Sequence, residues 1–182
     1  MPVSGVRLAR TPDVDGIAGV TVRSWRHRLA GLVPEPLLAS MDEADLAMTW
    51  ASAILNPPTP GHRLLVAVDD DEVRGYTAIG PSTDPDADGA TVELLALEVD
   101  PAHERSGHGS RLMAAAVDVA RSAGATSAST WCALDDTARR AFLQSAGWGP
   151  DSAFRDVAVG MAADGSDMLV REVRLVTDLT DG

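Results

Sequence analysis

The chain has 182 residues, a formal net charge of −12 and 45% hydrophobic residues, and aromatic residues make up only 4% of it. This length predicts a single domain over residues 1–182, with a core filled mainly by Val, Leu and Ala. The acidic balance excludes the basic patch of a nucleic-acid-binding protein; it suits a cationic or amine ligand, although solubility explains it equally well.

Hydrophobic periodicity, capping residues and turn residues divide the chain into the order β-α-α-β-β-β-α-β-α-β-β. Thr11 followed by Pro12 is predicted to start the first helix, and Ser40 with Glu43 has the pattern of a capping box for the second. Pro81–Gly89 is rich in Pro, Asp and Gly, so we expect a mobile loop there. Strands are expected at residues 6–9, 63–68, 73–80, 93–99, 128–134, 154–161 and 168–176.

This order of elements predicts an α/β fold. Hairpins combined with one central βαβ crossover indicate a mixed, mostly antiparallel sheet of about six to seven strands, with helices on both faces. Either Asp135 or Asp136 is expected to cap the short helix that ends at Gly147, and the last two strands form a hairpin across Ala163-Asp164-Gly165.

The segment from Glu93 to Met113 carries the strongest functional signal. Leu95, Leu97 and Val99 alternate as one face of a strand, with Glu93 expected on that same face. A glycine-containing loop then opens an amphipathic helix, whose first N–H groups have no partner inside the helix and can bind an anion. Two glycines alone also occur in plain turns, but a strand before them and a helix after them favour a phosphate site.

The loop Glu104-Arg105-Ser106-Gly107-His108-Gly109 resembles the Gln/Arg-x-x-Gly-x-Gly/Ala phosphate loop of the GNAT superfamily of acyl-CoA-dependent N-acetyltransferases. Glu104 stands where the family has Gln or Arg, and Arg105 beside it supplies a positive charge. The order of elements matches the family over nearly the whole chain. Ser24-Trp25, Gly31-Leu32-Val33-Pro34 and Leu37-Leu38 resemble the substrate-side helices of one bacterial branch.

The resemblance implies acetyl-CoA as cosubstrate. The backbone of Leu97-Glu98-Val99 would pair with the pantetheine arm, which requires a splayed edge after Val99, although Leu97 and Val99 also fit simple core packing. Asp136 stands where the family often has an Asn that contacts the cofactor; capping the helix is the alternative role. The pyrophosphate would be held by backbone N–H groups of Arg105, Ser106, Gly107, His108, Gly109 and Ser110.

The resemblance also implies roles in catalysis. Glu93 corresponds to the general base of several family members, which an ammonium substrate needs before it can attack a thioester; the alternative is a solvated Glu at a strand edge. Leu143 stands where the family often has a Tyr that acts as general acid, so water or Tyr76 remains for that role. The acceptor is expected to be a primary amine of a small molecule or peptide, and a homodimer through the last hairpin is implied.

The other reactive residues indicate structural roles. Cys132 is the only cysteine, which excludes an internal disulfide and a zinc cluster built on thiolates, and we expect it to be buried. His27, His62 and His103 lack the spacing of metal ligands, so no metal site is predicted, and His108 is expected to face solvent.

The lengths of the apolar runs predict where the protein is located. No run reaches the length of a membrane span and no signal peptide precedes the first strand, so we expect a cytoplasmic protein without a membrane partner.

A non-catalytic acyl-CoA-binding or sensing domain is the rival to an acetyltransferase, because Leu143 and Glu104 depart from the family pattern. A dinucleotide-binding protein is a weaker rival, because the chain lacks G-x-G-x-x-G after a first strand.

Overall fold

A computed structural model describes residues 4–180 and contains one sheet of seven strands in the order β1-β2-β3-β4-β5-β7-β6. The β4–β5 pair is parallel and every other neighbouring pair is antiparallel, so the predicted fold class is confirmed. The strands are β1 (Gly5–Leu8), β2 (Arg63–Asp69), β3 (Glu72–Pro81), β4 (Thr91–Val99), β5 (Ser127–Ala133), β6 (Gly149–Met161) and β7 (Asp167–Asp178). The helices are α1 (Val14–Arg28), α2 (Glu35–Ala39), α3 (Glu43–Leu55), α4 (His108–Ser122) and α5 (Thr137–Ser145).

The helix starts differ from the predicted ones near the N-terminus. Thr11 and Pro12 form a short 3-10 turn, and the α-helix itself begins at Val14. The capping box predicted at Ser40 is wrong: Asp42 caps α3, and its carboxylate accepts hydrogen bonds from the N–H groups of residues 44 and 45. Asp42 has the extended backbone that an N-cap needs (φ −99°, ψ 124°), whereas Ser40 ends the unpredicted helix α2 in a helical conformation.

Helices cover both faces of the sheet, as predicted. On one face, Leu112 of α4 and Leu143 of α5 are fully buried in a cluster with Leu94 and Leu97 of β4. On the other face, Ile17 of α1 packs in a second cluster, which also includes Tyr76 of β3. Burial of these apolar side chains is the main stabilising contribution, at about 1.5–3 kcal/mol for each large one. No helix within residues 4–180 is long and apolar enough to cross a membrane.

A β-bulge divides β4 into two halves. Ala78 pairs with Ala96 and Ile79 with Leu94, so Leu95 is an extra residue without a partner on β3, and its side chain is exposed. A one-residue insertion reverses which side chains face the core. Leu94 therefore lies on the same face as Leu97, and the prediction that Glu93 shares a face with Leu97 and Val99 is wrong.

The ends of α4 and of the last hairpin agree with the sequence. Gly124 follows α4 in the left-handed conformation (φ 87°), where a glycine is favoured because it has no Cβ. The β6–β7 hairpin turns through residues 162–166, which include the predicted Ala163-Asp164-Gly165.

Candidate active site

The central strands β4 and β5 separate along part of their length. Pairing covers only three positions and stops at Glu93 and Ser129. At the next step the Thr130 hydroxyl, rather than a backbone N–H, donates to the Leu94 carbonyl at 2.8 Å. The strands thus part directly after Glu93, not after Val99 as predicted. The result is an opening in the middle of the sheet.

The backbone of β4 beyond this point faces two directions. Asp100 donates its N–H to Arg74 of β3, so by the alternation of an antiparallel ladder Glu98 also directs its backbone towards β3. Leu97 and Val99 direct theirs into the opening. Arg139 of α5 donates to the Leu97 carbonyl at 2.7 Å. Of the three residues predicted to pair with a cofactor, only Leu97 and Val99 therefore present their backbone to the opening.

The glycine loop lies between β4 and α4. Arg105 and Gly107 both adopt the left-handed conformation, with φ 60° and 80°, and α4 begins directly afterwards at His108. A non-glycine residue in this conformation costs about 1–3 kcal/mol and is common where a loop holds a ligand. Ser106 and Ser110 are exposed, and a Cβ on Gly109 would lie 3.5 Å from Phe142 of α5. The predicted loop residues are thus brought together at a helix N-terminus.

The expectation that His108 faces solvent is wrong. Its side chain is only 4% exposed, and Arg111 lies 3.0 Å from its Nδ1. Burial, with help from the nearby Arg111 charge, lowers the pKa of His108, so the ring is neutral at pH 7. The side chain of this first residue of α4 is thus packed beside Arg111 of the same helix.

Glu93 lies where the strands part, on the face opposite α4. Its side chain is half-buried, and this burial, together with the negative charge of Asp84, raises the pKa of the Glu93 carboxyl. A raised pKa makes a carboxylate a stronger base at neutral pH. The alternative of a freely solvated strand-edge Glu does not describe this environment.

The residues that surround Glu93 were not found in the sequence. Trp131 of β5 donates from Nε1 to Asp84 at 3.1 Å, and the Arg155 guanidinium lies 4.3 Å from the centre of its ring. Arg174 of β7 forms ion pairs with Asp84, at 3.2 Å, and with two other aspartates. The loop predicted to be mobile is therefore anchored to the sheet. In the sequence, only the alternate positions of Ser129 and Trp131 along β5 could have indicated that these two side chains share one face of the strand.

Glu98 lies at the centre of a buried polar cluster on the α1 side of β4. It is 4% exposed and accepts hydrogen bonds from Ser24 at 2.5 Å and from Arg28 at 2.8 Å. Arg28 also pairs with Asp136 at 2.9 Å, and Asp136 caps α5 through the Arg139 N–H. Asp136 rather than Asp135 is therefore the cap, and its carboxylate is occupied by protein groups.

The side chains considered for acid or nucleophile roles are buried, and so is the leucine at the position of the family's tyrosine. Leu143 is fully buried in the core. Tyr76 is also fully buried, Thr21 donates to its hydroxyl, and burial raises the pKa of Tyr76 well above the usual range. Burial raises the pKa of the Cys132 thiol to about 11, as expected for a packing residue. Within residues 4–180, no group of three His, Cys, Asp or Glu side chains is arranged to hold a metal ion.

The structure thus brings together a parted pair of central strands, a glycine loop at a helix N-terminus and a half-buried carboxylate where the strands part. A sequence model described as the acetyltransferase (GNAT) family matches residues 26–148, so the chain belongs to this family. The predicted family is thereby confirmed.

One named relative agrees with this assignment. The chain is 39% identical over 84 residues to the mycothiol acetyltransferase of Kineococcus radiotolerans. This matched stretch covers 46% of the chain and 26% of that protein. The chain thus spans about a quarter of the length of this relative.

Solved structures share the fold at low identity. The PaiA N-acetyltransferase of Thermoplasma acidophilum in complex with coenzyme A superposes with a TM-score of 0.72 at 17% identity, covering 93% of this chain and 98% of that one. The yncA protein of Salmonella typhimurium with its cofactor acetyl-CoA gives a TM-score of 0.70 at 22% identity, covering 99% and 96%.

Proposed function

We propose that the protein transfers an acetyl group from acetyl-CoA to a primary amine of a small molecule or peptide. The observation that carries this proposal is the position of Glu93 at the vertex where β4 and β5 part. A base at this point is next to the opening into which Leu97 and Val99 direct their backbone. We also propose that residues 1–182 form one domain, because both core clusters lie against the same sheet.

The charge and the backbone of the glycine loop support acetyl-CoA as the cosubstrate. The N-terminus of α4 and the side chains of Arg105 and Arg111 place positive charge at the glycine loop, which suits a pyrophosphate. Gly107 lets an anion approach the loop backbone beside Arg111 closely because it has no Cβ. When bound, acetyl-CoA supplies an acetyl group activated as a thioester. The N–H of Val99, in the opening, is a candidate donor to the developing oxyanion.

Glu93 performs the proton transfer in this proposal. An alkylammonium is mostly protonated at pH 7 and cannot attack a carbonyl carbon until it loses a proton. The half-buried Glu93 carboxylate accepts that proton, directly or through a water. Leu143 and Tyr76 are both buried in the core, so the leaving thiolate is protonated from solvent rather than by a tyrosine.

Two measurements test this proposal. Calorimetric titration with acetyl-CoA should show binding, and thiol release should follow with at least one of glucosamine, spermidine, tryptamine or an Ala-terminated hexapeptide. Gly107→Val should weaken acetyl-CoA binding, because the added side chain would lie in the loop beside the Arg111 guanidinium and would strain the left-handed backbone. Wild-type protein that does not bind acetyl-CoA would refute the proposal.

Glu93→Gln separates the base role from binding. The variant should bind acetyl-CoA with unchanged affinity and lose about 10²–10⁴-fold in kcat. In wild type, the rate should fall as pH drops through the raised Glu93 pKa, and this acidic limb should be absent in the variant. An acidic limb retained in Glu93→Gln would remove Glu93 as the base.

A second candidate function is acyl-CoA binding without catalysis. It is favoured by Leu143, whose position in the core leaves no side-chain acid where many relatives carry a tyrosine. This alternative predicts acetyl-CoA binding without thiol release for every amine tested.

A further inference from the structure

The hydroxyl of Ser129 is the most unusual polar group near the candidate site. Ser129 is 2% exposed, and among residues 4–180 its Oγ has no hydrogen-bond partner. A buried hydroxyl without a partner costs about 1–3 kcal/mol, so such groups call for an explanation through a bound water or ligand.

Ser129 lies directly opposite Glu93. The two residues are partners in the last paired step of the parallel β4–β5 ladder. Residues so paired direct their side chains to the same face, and neighbouring strands lie about 4.8 Å apart. The opposite face is occupied by Ala128 and Cys132 of the α4-side core. The hydroxyl and the carboxylate therefore lie on the same face of the sheet, at the vertex of the opening.

We propose that Ser129 is a positioning residue, which holds, together with Glu93, the water that carries the proton from the acceptor amine. This role rests on the proposed acetyl transfer. A water between the two groups accepts from the Ser129 hydroxyl and donates to the Glu93 carboxylate, which satisfies the buried hydroxyl. Trp131, two residues further on the same face, and Asp84 to which it donates form the adjoining wall.

The reaction takes two protons from the acceptor nitrogen and gives one to the leaving thiolate. The ammonium gives one proton to this water, which passes one to the Glu93 carboxylate. The neutral nitrogen forms a bond to the acetyl carbon, and the carbon–sulfur bond breaks with its electron pair on sulfur. The nitrogen gives its second proton to solvent on becoming an amide, and the thiolate takes one proton from solvent to become a thiol. Glu93 then returns its proton to solvent.

A double-mutant cycle tests this role, using acetyl-CoA and the amine of the four-member panel that releases thiol fastest. Ser129→Ala should lower kcat about tenfold with little change in KM, a part of the ~10²–10⁴ that an acid–base group contributes. In the Glu93→Gln background the same change should cost less than about twofold, because residues that act as a unit are not additive. Ser129→Thr, which keeps the hydroxyl, should retain most of the rate.

Ser127→Ala is the matched control. Ser127 lies on the same face of β5, but its hydroxyl is paired with Thr91 at 2.8 Å, and its loss should leave kcat unchanged. A crystal structure should show an ordered water within hydrogen-bond distance of Ser129 Oγ and a Glu93 carboxylate oxygen.

Three outcomes would overturn the role of Ser129 without touching the proposed function. Unchanged kcat in Ser129→Ala, equal losses in both backgrounds, or a Ser129 hydroxyl bonded to a protein group without that water would each do so. Failure of wild-type protein to acetylate any of the four amines would overturn the proposed function and this role together. Turnover with an unaffected Ser129→Ala variant would overturn this role alone.

Discussion

Removing the Glu98 carboxylate should destabilise the protein more than removing any surface carboxylate. Glu98 is 4% exposed and joins α1 to β4 through Ser24, Trp25 and Arg28, while Arg139 of α5 lies 3.6 Å away. Loss of one partner from a buried ion pair costs about 3–5 kcal/mol. The Arg28 side chain is 23% exposed and keeps its contact with Asp136, so we expect the lower end, about 3 kcal/mol, for Glu98→Ala.

Urea unfolding followed by tryptophan fluorescence measures this change, because the chain contains four tryptophans. A loss of 3 kcal/mol corresponds to a fall in Tm of about 6–12 °C for a protein of this size. The control is Asp156→Ala, which removes an exposed pair with Arg171 and should cost about 0–1 kcal/mol. If Glu98→Ala unfolds within 1 kcal/mol of wild type, as the control should, the cluster does not hold α1 to the sheet.

Three further changes should have distinct effects. Leu143→Ala should lower the free energy of unfolding by about 2–5 kcal/mol, because it leaves a cavity in the core; a calorimetric change below 1 kcal/mol would contradict this. The hydrogen bond from Arg7 lowers the pKa of Asp13 in the folded protein. The interaction therefore adds to the free energy of unfolding above pH ~4, and this contribution is lost as the pH falls further. The difference in urea unfolding between wild type and Asp13→Asn should therefore shrink from pH 7 to pH 3, and a constant difference would refute it. Arg174→Ala should speed amide exchange in residues 82–90; unchanged exchange would show that the ion pairs with Asp84 do not restrain the loop.

The order of elements could be predicted because each strand and helix carries its own local pattern. The stripe of α4, the glycine that follows it and the alternation in β2 and β3 depend on residues close together in sequence. The five-residue helix α2 was missed because it is too short to show a period. Two acidic or hydroxyl residues near one helix start compete as caps, and only the backbone conformation decides between Ser40 and Asp42.

The site was predictable only where it consists of backbone. The glycine loop and the start of α4 follow from the sequence alone. The orientation of Glu93 did not, because the bulge at Leu95 is set by pairing with β3 and leaves no local signal. The surroundings of Glu93 come from β5, β6 and β7, whose contacts join residues far apart in the chain, such as Trp131 with Asp84.

The parted strands also leave an unpaired strand edge inside the sheet. An unpaired strand edge is a template on which another extended chain can add, which leads to aggregation. Here two side chains reduce that risk: Thr130 occupies the Leu94 carbonyl and Arg139 the Leu97 carbonyl. These two hydrogen bonds shorten the edge that remains free for pairing. Arg139→Ala frees the Leu97 carbonyl and should make the protein more prone to self-association, which light scattering would detect.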